Sequence, residues 1–144
     1  MAILYEVKDV QFPKIKRRNT THWIKKVIEF SNKKTGDINI IFCTEEEILR
    51  INKLYLNHDY YTDIITFDYT ENDRISGDLF ISLNTVKSNS IKFLTNYKEE
   101  LLRVIIHGIL HLVGFNDNTT LSRIKMKKKE KEYLKLFIEY FQKY

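Results

Sequence analysis

At 144 residues the chain has room for one domain with a sizeable core, and 43% hydrophobic with 13% aromatic content excludes wholesale disorder. Lys and Arg number 24 against 19 Asp and Glu, and the net charge of +5 is a mild preference for polyanions such as nucleic acid. The single cysteine, Cys43, excludes an intramolecular disulfide and a thiolate-built zinc site, and points to a reducing compartment. The start, MAILYEVKDV, has no basic segment leading into an apolar one, so no signal peptide is expected. No apolar run approaches the roughly 18 residues that cross a bilayer, and the longest, Val104 to Val113, is interrupted by two histidines. A soluble, cytoplasmic protein without a membrane partner is the expectation.

Ile3, Tyr5 and Val7 alternate with Glu6 and Lys8, the period of a half-buried strand. A basic connection from Pro13 to Asn19 leads to Thr20 or Thr21, either of which can cap a helix with Ile24, Val27 and Ile28 on its apolar face. That helix is expected to end near Lys34 to Gly36, the glycine supplying a left-handed turn. INIIFC, Ile38 to Cys43, reads as a central strand buried on both faces. Thr44 opens TEEE, a capping box with Glu47, before a helix carrying Ile48, Ile51, Leu54 and Tyr55 to about Asn57.

Ile64 to Tyr69 and Asp78 to Ser82 read as two strands of a hairpin across the polar stretch Thr70 to Gly77. A short helix from Asn84 to about Leu94 follows, and Asn96 with Glu99 caps the next. After Thr119 a last helix places Leu134, Phe137, Ile138 and Phe141 on one stripe and its lysines on the other side. The order β-α-β-α-β-β-α-α-α implies parallel pairing of the first two strands and an antiparallel addition. The expected class is α+β: a mixed sheet of about four strands with about five helices, residues 1–144 forming one domain around a buried central helix.

That helix, within Tyr97 to Asp117, reads YKEELLRVIIHGILHLVGFND. His107 and His111 are four apart, about 40° around the helix axis, so both imidazoles leave one face. Gly114 permits a sharp reversal and brings Asp117 within reach as a third ligand, leaving a fourth position open for water. The plainer alternative is a pair of ordinary helical histidines, which an apolar helix would bury at a cost. Zinc peptidases carry a glutamate general base in H-E-x-x-H, whereas Gly108 stands there and can move no proton. The spacing therefore suggests a zinc hydrolase that is not a peptidase.

HGILHLVGFND resembles the H-G-x-L-H-L-x-G-[YFW]-[DN]-H signature of the YbeY endoribonuclease family, the rRNA maturation factors. INKLYLNHDYYTDIITF is similar to the family's L-N-x-x-Y-R-x-x-D-x-P-T-D-V-L-S-F, and Gly77 to Ser82, GDLFIS, to its G-D-I-x-I-S. The resemblance spans about residues 36–140 and implies a small single-domain metal-dependent hydrolase. Its metal ligands would be His107, His111 and Asp117, with one Zn2+ per chain. Its activity would be single-strand endoribonuclease cleavage in small-subunit rRNA 3′-end maturation and ribosome assembly. RNA and the small ribosomal subunit would be the partners, and no DNA.

Three positions depart from the family pattern. Asp117 stands where the third ligand is usually histidine; carboxylate oxygen also ligates zinc, though Asn116 or Asn118 could instead engage it by hydrogen bonds. Leu56 replaces an arginine associated with the RNA phosphate, and Tyr61 replaces a proline. His58 is the candidate to take over part of the arginine's role, against the alternative of an exposed loop histidine. Asp59 and Asp63 are candidates to orient a ligand histidine, or else cap their loop. Lys14, Lys16, Arg17 and Arg18, with Lys125, Lys127, Lys128 and Lys129, are candidates to hold RNA around the cleft. The loss at Leu56 motivates a second reading, a ribosome-associated assembly factor with a mainly structural metal and weak or no nuclease activity. A metallohydrolase of small molecules or peptides has only the histidines in its favour.

Overall fold

The computed structural model describes residues 2–56 and 62–142. In chain order these form β1 (Ile3–Val7), α1 (Arg17–Phe30), β2 (Lys34–Cys43), α2 (Glu45–Ile51), β3 (Ile64–Asp68) and β4 (Arg74–Ser82). Three further helices follow: α3 (Leu83–Lys92), α4 (Tyr97–Leu112) and α5 (Thr120–Tyr140). The chain after α2 widens into a π-helical turn over Asn52–Leu56.

The strands form one sheet in the order β1-β2-β4-β3, with β1 and β4 parallel to β2 and β3 antiparallel to β4. The expected mixed α+β sheet and its hairpin are both present. β2 lies at the centre and its segment INIIFC is buried on both faces, as a near-continuous apolar run requires. One face, carrying Ile38, Ile40, Phe42, Leu79 and Ile81, packs into the main core with α1, α4 and α5. On the other, Cys43 and Ile65 pack with Ile48 and Ile51 of α2, bordered by Phe67 and Phe80. Burial pushes the Cys43 thiol up to about 12, which makes it a packing residue.

Three local expectations are corrected. Helix α1 begins at Arg17 with Lys16 at its cap, one turn before the threonines, because buried Thr20 bonds its hydroxyl back to the Lys16 carbonyl within the helix. The left-handed turn after α1 belongs to Asn32, φ 58°, so Gly36 lies inside β2. In α5 Phe137 is buried and Leu134 and Phe141 pack partly buried against the core as expected, but Ile138 is exposed and Met126, Glu130 and Tyr133 extend the buried face instead. The caps of α2 and α4 form, with Thr44 accepting from the Glu47 amide and Asn96 from the Glu99 amide, each at 3.2 Å. The reciprocal half of the expected box at Thr44 does not, because the Glu47 carboxylate bonds Lys8 and Arg50.

Helix α4 buries ten of its sixteen residues, more than any other helix described. Its close seat on the sheet explains Gly108: a Cβ there would lie 2.6 Å from Leu79 Cδ2 and 2.8 Å from Ile64 Cδ1. Helix α5 is tied down from α1 by Trp23, whose indole N–H donates to the Tyr133 carbonyl at 2.8 Å and whose ring meets Phe137 edge-on at 5.0 Å. That anchorage fixes the helix that completes the site. Among the described residues no helix is long and apolar enough to cross a membrane.

Candidate metal centre

His107 and His111 leave the same face of α4, as their spacing dictates, with their Nε2 atoms 3.0 Å apart. Gly114 adopts φ 115° and donates its amide to the His111 carbonyl, and Phe115 returns a bond to Leu110, so the chain reverses within two residues. The reversal brings Asp117 Oδ2 to 3.5 Å from His107 Nε2 and 3.6 Å from His111 Nε2. Among the described residues neither Asn116 nor Asn118 hydrogen-bonds this carboxylate.

The three donors fit a divalent ion. Ligands at about 2.0–2.1 Å in a tetrahedral array stand about 3.3 Å from one another, close to the 3.0, 3.5 and 3.6 Å separations here. His107 Nδ1 lies 2.5 Å from Glu130 Oε2, so Nδ1–H donates to that carboxylate and the Nε2 lone pair faces the centre. Burial, reinforced by the adjacent His107, holds the His111 imidazole below its usual pKa, the neutral form that ligation needs.

Glu130 belongs to a buried polar chain. Its other oxygen accepts from Arg103 Nη1 at 3.0 Å, and Arg103 also donates through Nε and Nη2 to both oxygens of buried Glu100, at 2.9 and 2.7 Å. Arg103 Nη2 stands 3.8 Å from Asp63 Oδ2. Burial pushes the Glu130 carboxyl upward, but the bonds from His107 and Arg103 outweigh it and the group ends below the usual range. For Asp63 burial prevails over Arg103, and its carboxyl is raised.

The donors line a cavity of about 630 Å3 together with Thr62, Asp63, the β3 residues Ile64 to Thr66, and Arg103 and Val104 of α4. Asn52 and Asp68 complete its rim. Asp63, expected as a possible partner of a ligand histidine, faces Arg103 instead, and Glu130 takes the histidine. His58 and Asp59 lie outside the described residues. None of Lys14, Lys16, Arg17, Arg18, Lys125, Lys127, Lys128 or Lys129 is among the residues lining the cavity. Sequence reasoning missed Glu130, Arg103 and Glu100. The signal was helical phase: Glu130 falls four after Met126 and three before Tyr133, an acid on an apolar stripe, and Arg103 stands one turn before His107.

Two imidazoles and a carboxylate converging on one point beside an open cavity define a candidate metallohydrolase. The family model described as Endoribonuclease YbeY matches residues 5–138. Endoribonuclease YbeY of Azobacteroides pseudotrichonymphae genomovar. CFP2 is 63% identical over 117 residues, 81% of this chain and 84% of that protein. Its counterpart in Parabacteroides distasonis is 56% identical over 139 residues, 96% of this chain and 98% of that one. A solution structure of a Thermotoga maritima protein superposes with a TM-score of 0.68 at 27% identity, covering 95% of this chain and 91% of its own. The chain belongs to the endoribonuclease YbeY family, which places it among RNA-cleaving hydrolases.

Proposed function

We propose that residues 1–144 act as one domain, a zinc-dependent single-strand endoribonuclease of the cytoplasm that matures the 3′ end of small-subunit rRNA during ribosome assembly. The observation that carries the metal dependence is the approach of His107, His111 and Asp117 donors to within 3.0–3.6 Å in a cavity wall. Family membership supports the RNA substrate, and the small-subunit partner is part of the proposal.

When bound, zinc supplies Lewis acidity toward a phosphodiester and lowers the pKa of water to about 7. The protein's own part is orientation. Glu130 holds the proton on His107 Nδ1, and Arg103, gripped by Glu100, holds Glu130. Raised Asp63 puts a carboxylate of increased proton affinity in the cavity wall. The cavity itself repels phosphate, since Asp63, Asp68 and Asp117 face it against one guanidinium, Arg103. A divalent cation offsets that excess, so RNA entry and metal loading are coupled.

The test pairs elemental analysis with RNA cleavage. One zinc per chain, diminished in Asp117→Ala, and loss of single-stranded RNA cleavage in a folded His111→Ala variant are expected. Full cleavage by metal-free His111→Ala overturns the reading. The alternative of an assembly factor with a structural metal draws on the saturation of Arg103 by carboxylates, which leaves the described cavity wall no free cation for phosphate. Its signature is a His111→Ala protein with a lowered melting temperature and undiminished rRNA processing.

A further inference from the structure

The metal cavity is lined by β3, one edge of the sheet. At the opposite edge, beside β1, the exposed side of α1 has different chemistry. Arg18, His22 and Lys25 recur there at i, i+4 and i+7, away from the buried face of Trp23, Ile24 and Val27. Two further cavities, of about 370 and 410 Å3, both have Arg18 and His22 in their walls and so adjoin along this helix. The first adds Arg17 and Lys25 against β1; the second adds Tyr140 and Phe141 from the end of α5. Among the described residues no carboxylate lines either cavity or forms an ion pair with Arg17, Arg18, His22 or Lys25.

Elsewhere Lys8, Lys26, Arg50, Lys129 and Lys135 each have an acidic neighbour, and what sets the α1 group apart is that its cations line two adjoining cavities. The Arg17 guanidinium is held 4.1 Å above the Phe12 ring, which fixes one charge in the first cavity's wall. Tyr140 is exposed next to the second. Unpaired cations in a row with an exposed aromatic beside them are what a single nucleic-acid strand takes: phosphates follow the charges and a base stacks on the ring. An acidic protein surface would use the cations and leave Tyr140 without a role.

The two sites are well separated. Three strand spacings across the sheet amount to about 14 Å, and Tyr140, ten residues beyond Glu130 on α5, lies about 15 Å further along that helix. We propose that the outer face of α1 is an accessory site for single-stranded RNA, with phosphates on Arg18 and Lys25 and a base against Tyr140. It rests on the RNA-cleaving reading and adds a second hold on long substrates, remote from the metal.

The test compares a long single-stranded oligonucleotide with one too short to leave the metal cavity. For Arg18→Gln/Lys25→Gln, long-RNA affinity is expected to fall about tenfold, and the slope of log affinity on log salt to shrink by about 1.4 for two lost contacts. Tyr140→Ala is expected to weaken long-RNA binding about fivefold or more through lost stacking. Short-oligonucleotide cleavage by both variants stays at the wild-type rate. Unchanged long-RNA affinity and salt slope, with wild-type cleavage intact, overturn the accessory site alone. Loss of polyglutamate binding in the double variant, with RNA binding unchanged, overturns it in favour of an acidic protein partner. A wild-type protein that neither binds nor cleaves RNA overturns the function on which the site rests.

Discussion

Glu130→Gln is the sharpest probe of how the centre is held. The substitution keeps side-chain volume and one acceptor oxygen but removes the charge shared by His107 Nδ1–H at 2.5 Å and Arg103 Nη1 at 3.0 Å. The amide has one oxygen for two donors, so its NH2 must face either the imidazole N–H or the guanidinium. A charge-assisted bond contributes about 1.5–3 kcal/mol and a neutral one about 0.5–1.5. Weakening one and losing the other therefore costs about 2.5–4.5 kcal/mol, and Glu130 is only 4% exposed, so water offsets little of it. Loss of the oriented acceptor should also weaken zinc binding about 10–100-fold. Urea denaturation of the metal-free protein measures the first, and competition titration of zinc against a chromophoric chelator measures the second. Zinc affinity within twofold of wild type would refute the assignment of Glu130 as the group that fixes His107.

Two other substitutions test the frame. Gly108→Ala gains about 1 kcal/mol of helix propensity but drives a methyl to 2.6 Å from Leu79 Cδ2, and overpacking costs about 1–3 kcal/mol; a net loss of about 1 kcal/mol in urea is expected, and equal or higher stability would contradict the close seat of α4. Glu47 bonds Arg50 and Lys8, and those partners hold its carboxyl down to about 2 from an ordinary 4.5. Because the folded pKa lies below the unfolded one, its contribution is complete above about 4.5 and fades as pH falls through about 2. For this half-exposed cluster Glu47→Gln should cost about 1 kcal/mol at pH 7, and stability curves of the two proteins should converge near pH 2; a constant gap would remove the ion pairs from the account.

The sequence revealed those parts of the fold whose signals are local. The strand INIIFC, the caps at Thr44 and Asn96, and the two histidines each announce themselves within a few residues, because period, capping chemistry and helix phase act at that range. Gly108 was legible as the absence of a base but not as the contact with Leu79 and Ile64, which depends on a strand 29 residues earlier and one still further back. The partner of His107 is not legible for the same reason. Asp63 lies beside the motif in the resemblance, whereas Glu130 arrives on a helix whose buried face the sequence put at Leu134, Phe137 and Ile138. A lysine-rich helix offers several stripes of similar amphipathicity, and only the indole of Trp23 against Tyr133 and Phe137 selects the one that turns Glu130 inward. The start of α1 is not legible from the threonines because Thr20 bonds back to Lys16 from inside the helix, the less common use of a residue that normally caps.

The docking of α5 has a consequence for biosynthesis. His107, His111 and Asp117 all precede it, but the acceptor for His107 Nδ1 comes 23 residues later, and the indole that positions it is separated from Tyr133 by 110 residues. A nascent chain that has emerged only as far as Asp117, short of α5, holds every ligand and no means of orienting the first. The centre is therefore completed in one of the last acts of folding, when the end of the described chain closes against its beginning, and a product truncated before α5 would carry the signature without an ordered site.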